Sequence, residues 1–308
     1  MKKILFLLLP TFLFSCIWIN GTTIDGDYKE TSDYGYSSIL KHIIENESAQ
    51  TKLENLLDNK ASFTTLTNEI KENDAVILML QGKYESSIEM LLALNQKNPK
   101  KYSIASNLGT VYELNGENKK ALQWIKEGTK RDKNSHYGTE WLHELILKTK
   151  IEQKNNPNLL QNQRVIALSP KFTLKSTLKI EGEEHTISDI LKALRYQLRE
   201  RLIFVKPKEP IVADLIFTYA KIEAETGTLE EALKILTLAK DYGFSDPQLL
   251  QESQERYEDV IKHPSLLYHI KSLQKPDNIV KFVMIILLLI ILILIKRAVV
   301  YMYKKVVA

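Results

Sequence analysis

His143-Glu144 has the residue types that open a zinc-hydrolase motif, in which two imidazoles one helical turn apart hold the metal and the glutamate activates water. The second imidazole belongs at position 147, which is Leu147, so the motif is broken and the two residues read as a helix-surface pair. Glu183-Glu184-His185, beside Gly182, has the residue types for metal binding or acid–base work and otherwise reads as a solvated turn. Arg195, Arg199 and Arg201 accompany an apolar helix stripe and could meet an anion or a partner carboxylate. Interleaved with Glu200, they read first as a polar helix face. Glycine-rich phosphate loops, Cys-x-x-Cys pairs and a Gly-x-Ser-x-Gly elbow are absent from the chain. The expected numbers of catalytic, cofactor-binding and metal-binding residues are therefore zero.

The charge pattern points to a membrane. Phe282 to Ile295 contains no polar residue, Lys296, Arg297, Lys304 and Lys305 follow it, and no acidic residue occurs after Asp277. The run alone rises only about 21 Å as a helix. Extended back to Ile279, with Lys281 snorkelling, it suits a transmembrane helix over 279–295 and a basic cytoplasmic tail over 296–308. At the other end, Lys2 and Lys3 precede the apolar stretch Ile4 to Phe14, the pattern of a secretory signal over 1–21. Leu13-Phe14-Ser15-Cys16 resembles a lipobox, which would place a lipid on Cys16; ordinary cleavage near Gly21 and retention as an anchor are the alternatives. With the signal removed, the positive-inside bias leaves the bulk of the chain outside the cytoplasm. Cys16 is the only cysteine, so the exported part has no internal disulfide. The formal net charge of +4 is carried by the two ends. The slightly acidic middle does not suggest nucleic-acid binding.

The middle repeats. Gly82-Lys83-Tyr84 and Gly116-Glu117-Asn118 align at a spacing of 34 residues, with Leu78 against Tyr112, Ser87 against Ala121 and Leu91 against Ile125. Such a period means stacked helical pairs rather than one closed core. The glycines suit the turn between paired helices, where a residue with positive φ ends the first helix cheaply. Leu108-Gly109, Tyr112, Gly116 and Ala121 in the middle unit, and Tyr219-Ala220 with Gly227 and Ala232 later, resemble the tetratricopeptide repeat family. The resemblance implies an all-α solenoid with units near 68–101, 102–135 and 213–247. It also implies a concave groove that holds a peptide or protein, lined by Ser106, Asn107, Thr110 and Glu113 in the middle unit and by Asp214, Phe217, Thr218 and Lys221 in the later one.

Around the repeats, 22–35 is rich in Thr, Asp, Gly and Tyr and reads as a flexible linker. Tyr36 to Asn59 reads as helical and could cap the N-terminal end of the stack. A short β element is expected near 172–180. Thr186 or Ser188 then caps an amphipathic helix with the stripe Ile190, Leu191, Leu194, Leu198 and Leu202, which Pro207 and Pro210 end. The last helical region is interrupted at Pro264. The expected whole is a helical ectodomain over 36–275 at a bacterial-type envelope, a protein-binding scaffold. The alternatives are an envelope enzyme with a site in 150–210 around His185 and Arg195, and a purely structural or self-associating role.

Overall fold

The computed structural model describes residues 19–31, 35–61, 68–273 and 284–297. Strands β1 (Ile19–Thr22) and β2 (Tyr28–Thr31) form an antiparallel hairpin. Helices α1 (Tyr36–Asn46), α2 (Ala49–Ala61), α3 (Asn68–Leu80), α4 (Tyr84–Lys97), α5 (Tyr102–Leu114) and α6 (Asn118–Arg131) follow. A single 3-10 turn at Ser135–Gly138 leads into α7 (Glu140–Asn155) and the short α8 (Leu159–Asn162). A second hairpin, β3 (Thr177–Ile180) with β4 (Glu183–Thr186), precedes α9 (Ile187–Phe204). The body ends with α10 (Pro210–Thr226), α11 (Leu229–Asp241), α12 (Pro247–Lys262) and α13 (Leu266–Leu273).

The paired helices form where the glycines fall. Gly82 and Gly116 have φ of 74° and 80°. At each, the next residue's N–H returns to a carbonyl five residues back, Lys83 to Leu78 at 2.9 Å and Glu117 to Tyr112 at 2.8 Å, closing the exposed end of the first helix. Gly227 does not follow this expectation: its φ is −114°. Crowding demands glycine there instead, since a Cβ would lie 2.9 Å from the Glu223 carbonyl oxygen. Gly109 lets α5 and α6 meet, because a Cβ would stand 2.3 Å from Ile125 Cδ1.

Two cores result. One joins α3 to α6 through Leu91, Leu94, Ile104, Leu108 and Ile125. The larger one joins α1, α7 and α9–α12 through Leu40, Leu142, Leu198, Ile216, Leu236 and Tyr257. Capping sets where α9 starts: Thr186 Oγ1 accepts the Asp189 N–H at 3.1 Å, and Asp189 accepts the Thr186 N–H at 3.1 Å.

Several boundaries differ from expectation. The described part of 22–35 is an ordered hairpin, not a flexible linker, because polar groups of the body receive it. Thr22 gives its N–H and hydroxyl to Glu230 at 2.8 and 2.9 Å, and Lys29 donates to the Thr226 carbonyl. β1 also begins inside the expected signal 1–21. Cys16 and the rest of that segment lie outside the described residues. The stretch from Tyr36 breaks into α1 and α2 at Ser48, whose hydroxyl accepts the Thr51 N–H at 3.1 Å. Buried Leu40 and Ile43 place α1 in the larger core rather than at the end of the stack. The expected β element is the β3–β4 hairpin, a few residues later than 172–180.

Among the described residues, no helix is long and apolar enough to cross a membrane. The described part of the C-terminal run is a helix over 284–297, and its apolar side chains from Met284 to Ile295 are all exposed. Residues 279–283 and the tail beyond 297 lie outside the described residues.

Candidate functional site

A cavity of about 410 Å³ opens between α5, α7 and α9, with α2 and α3 on its far side. Four residues singled out by the sequence line it together: Ser106, Asn107, Thr110 and Glu113, one turn apart along α5. Asn107 Nδ2 donates to Glu72 Oε1 at 3.2 Å, and Thr110 donates to the Ser106 carbonyl at 3.1 Å. Val76, Met79, Leu114 and Phe204 supply apolar wall.

The deepest group is Glu113. Its carboxylate accepts from Arg201 at 2.6 Å, from Lys150 at 2.7 Å and from His143 Nε2 at 2.7 Å. Burial raises its pKa, but Arg201 first, then His143 and Lys150, outweigh that and hold the carboxyl well below its usual range. Burial and Arg201 push His143 down, yet its bond to Glu113 and the nearby Glu140 carboxylate raise it above the ordinary imidazole value. Glu140 is likewise buried, and His136, then His143, lower its pKa despite desolvation. One Glu140 oxygen accepts from Tyr102 OH at 2.7 Å and from His136. The other lies 3.5 Å from His143 Nδ1 and has no aligned hydrogen bond. His143 thus sits between two carboxylates, which favour its protonated form.

His136 reaches Glu140 from a tight turn. His136, Tyr137 and Gly138 have φ of 47°, 58° and 73°. Two consecutive non-glycine residues in the left-handed region cost on the order of 1 kcal/mol each. The turn is held by Tyr102 OH, 2.9 Å from His136 Nδ1, and by the Tyr196 ring, 5.0 Å from the imidazole.

Few of the polar groups that line the cavity are left without a partner. Gln197 is only 3% exposed, lines the cavity, and makes no hydrogen bond among the described residues. Arg201 Nε is buried and also has no partner, although the same guanidinium grips Glu113. The Gln197 amide is free to pair with a neutral donor–acceptor such as a peptide group that enters the cavity.

The later set is not part of this cavity. Asp214, Phe217 and Thr218 are buried inside the larger core, so they offer no surface to a partner. Asp214 accepts the Val165 N–H at 2.7 Å and faces Arg164 at 3.1 Å. Burial nevertheless raises its pKa to about 6. Phe217 stacks on Phe244 at 4.2 Å, and Thr218 donates to the Asp214 carbonyl at 3.0 Å. Lys221 is partly buried, and desolvation lowers its pKa. The physical reason is that α10 is apolar on nearly every side from Ile211 to Ala220 and is enclosed by its neighbours.

The chemistry-bearing residues of the sequence also moved. His143 is not on a helix surface; it is buried in the Glu113 cluster. His185 stacks on Trp141 at 4.1 Å. The arginine group divides. Arg195 lies 5.4 and 5.8 Å from the rings of Tyr36 and Tyr219, while Arg201 is buried on Glu113. Among the described residues, no group of three or more His, Cys, Asp or Glu side chains could hold a metal ion. Sequence reasoning missed Gln197, although a signal existed: with Leu194, Leu198 and Leu202 it occupies the apolar stripe of α9. No protein-family model matches the chain, and no curated protein matches it.

Proposed function

We propose that this protein is a membrane-tethered scaffold of the tetratricopeptide-repeat type, a binding protein and not an enzyme. In this reading it holds an extended segment of a partner protein in the α5–α7–α9 cavity, on the exported side of a cell envelope. The observation that carries the reading is the cavity itself, whose buried Gln197 is left without a hydrogen-bond partner while four α5 residues face it. The helical pairs turning at Gly82 and Gly116 support the repeat assignment. The exposed apolar helix over 284–297, followed by basic residues in the sequence, supports a tether. Confinement at a membrane raises the effective concentration of a membrane-bound partner without adding a contact.

The cavity's chemistry also suggests what it selects. Arg201 and Lys150 are both engaged by Glu113, so a terminal carboxylate would have to compete with Glu113 for them. A neutral polar segment with one aliphatic side chain, seated on Met79 and Phe204, suits the groups that remain. An enzyme site around His185 and Arg195 has less behind it, since both side chains are engaged by aromatic rings.

The test is photocrosslinking in intact cells, with a benzophenone amino acid at Thr110 inside the cavity and, separately, at exposed Glu85 on α4. The expected result is a protein adduct from position 110, absent from position 85 and lost when Gln197→Leu is added. An adduct pattern that is the same from both positions, or unchanged by Gln197→Leu, overturns the cavity assignment.

A further inference from the structure

The start of the described chain and the approach to the C-terminal apolar run are joined at one place. The Ser265 N–H donates to the Gly26 carbonyl at 2.9 Å, and the Ser265 hydroxyl donates to Asp27 at 2.5 Å. Tyr28 of β2 meets Tyr268 of α13 edge-to-face at 5.6 Å. The β1–β2 hairpin therefore pins one side of α13 to the body. Two apolar side chains at the start of α13 are left exposed: Leu266 at 76% and Leu267 at 44%. In the sequence, Ile270 and Leu273 follow Leu266 at the i+4 and i+7 spacing of a single helix stripe.

Chain length decides what can cover that stripe. Only residues 274–278 separate α13 from Ile279, where the apolar run begins. Five residues reach at most about 20 Å even when fully extended. If 279–295 spans a bilayer, α13 stays within that distance of the headgroups. From 264 to 283 the basic residues are Lys271, Lys275 and Lys281, against one acid, Asp277, a balance that suits phosphate headgroups.

We propose that α13 lies in the membrane interface, with Leu266 and Leu267 inserted among the lipids, so that the body is docked on the bilayer in a fixed orientation rather than hung from a loose stalk. An apolar stripe flanked by basic residues is the pattern of an interfacial helix. The hairpin makes the docking rigid, because it couples α13 to the Thr22–Glu230 contact on α11. This inference rests on the membrane span of the proposed function.

The test places a bimane label, one at a time, at positions 266, 267, 288 and 137 of the full chain in a Cys16→Ser background. The chain is reconstituted in two sets of nanodiscs of phosphatidylethanolamine and phosphatidylglycerol, one brominated near the headgroup to report on 266, 267 and 137 and one brominated near the acyl-chain ends to report on 288. Position 137 is an exposed control on the body, 72% accessible. The expected result is blue-shifted emission and bromine quenching at 266 and 267, with neither at 137. Labels at 266 and 267 that behave like 137 while 288 is quenched overturn the interfacial helix and leave the span intact. Absence of quenching at 288 overturns the span, and the docking with it.

Discussion

Glu113 gathers Arg201, Lys150 and His143 around one buried carboxylate, and its removal should be felt across three helices. Breaking a buried ion pair by deleting one partner costs about 3–5 kcal/mol, because the other charge is left uncompensated. Glu113→Ala leaves Arg201, Lys150 and His143 facing one another. A loss of stability of that size is expected in urea titrations. The paired change Glu113→Leu with Arg201→Met should recover much of it, since a matched apolar pair removes both desolvation penalties. A pH dependence follows from the same cluster. The folded pKa of His143 is raised, so its contribution is fully present below the ordinary imidazole value of 6.5 and fades as pH rises through the folded value. The folded pKa of Glu113 is lowered, so its contribution is present above the ordinary value of 4.5 and fades as pH falls. The stability difference between the parent and His143→Gln should therefore be greatest between those two values and narrow at alkaline pH. A constant difference from pH 5 to pH 9 would show that His143 does not change its protonation state over that range.

At the scale of elements, the two kinds of interhelix glycine separate. Gly116 has φ of 80° and open space around its missing Cβ, whereas Gly227 has negative φ and a crowded site. Gly116→Ala should cost only the left-handed backbone, about 1 kcal/mol. Gly227→Ala should cost more, because the Glu223 backbone must shift. Denaturation midpoints of the two variants check the order. The helical pairs at Gly82 and Gly116 were legible in the sequence because local residues decide them: a turn glycine, small residues at the crossing, and apolar spacing of 3.6. Likewise, the start of α9 was readable to within two residues from Thr186 and Ser188, and the structure selects Thr186. The groove assignment on α10 failed for an opposite reason. Family likeness placed Asp214, Phe217 and Thr218 on an open face, while the nearly unbroken apolar content of that helix already indicated enclosure. The split of α1 from α2 had a local sign in Ser48, but what α1 packs on is decided by the distant α9 and α11, which local patterning does not encode.

At the scale of the whole molecule, the N-terminal hairpin is the element that local reasoning could least recover. Asp25-Gly26 is a hairpin signal, yet β1 and β2 are short and polar, and an isolated two-stranded hairpin is at best marginal in water. Distant groups stabilise it: Glu230 receives Thr22, the Thr226 carbonyl receives Lys29, and Ser265 binds Gly26 and Asp27. These partners belong to α10, α11 and the start of α13, so the hairpin closes the chain's beginning onto its end. Each such hydrogen bond contributes roughly 0.5–1.5 kcal/mol net, and together they hold α13 in place. Deleting residues 19–31 should therefore loosen α13 far more than the repeat pairs. Limited proteolysis is expected to cut the deletion variant near Lys262 and Ser265 while α3–α6 stay protected, with the parent resistant at both places. Equal protection of 262–269 in the two proteins would mean that α12 alone holds α13, and that the hairpin decorates the fold without joining its ends.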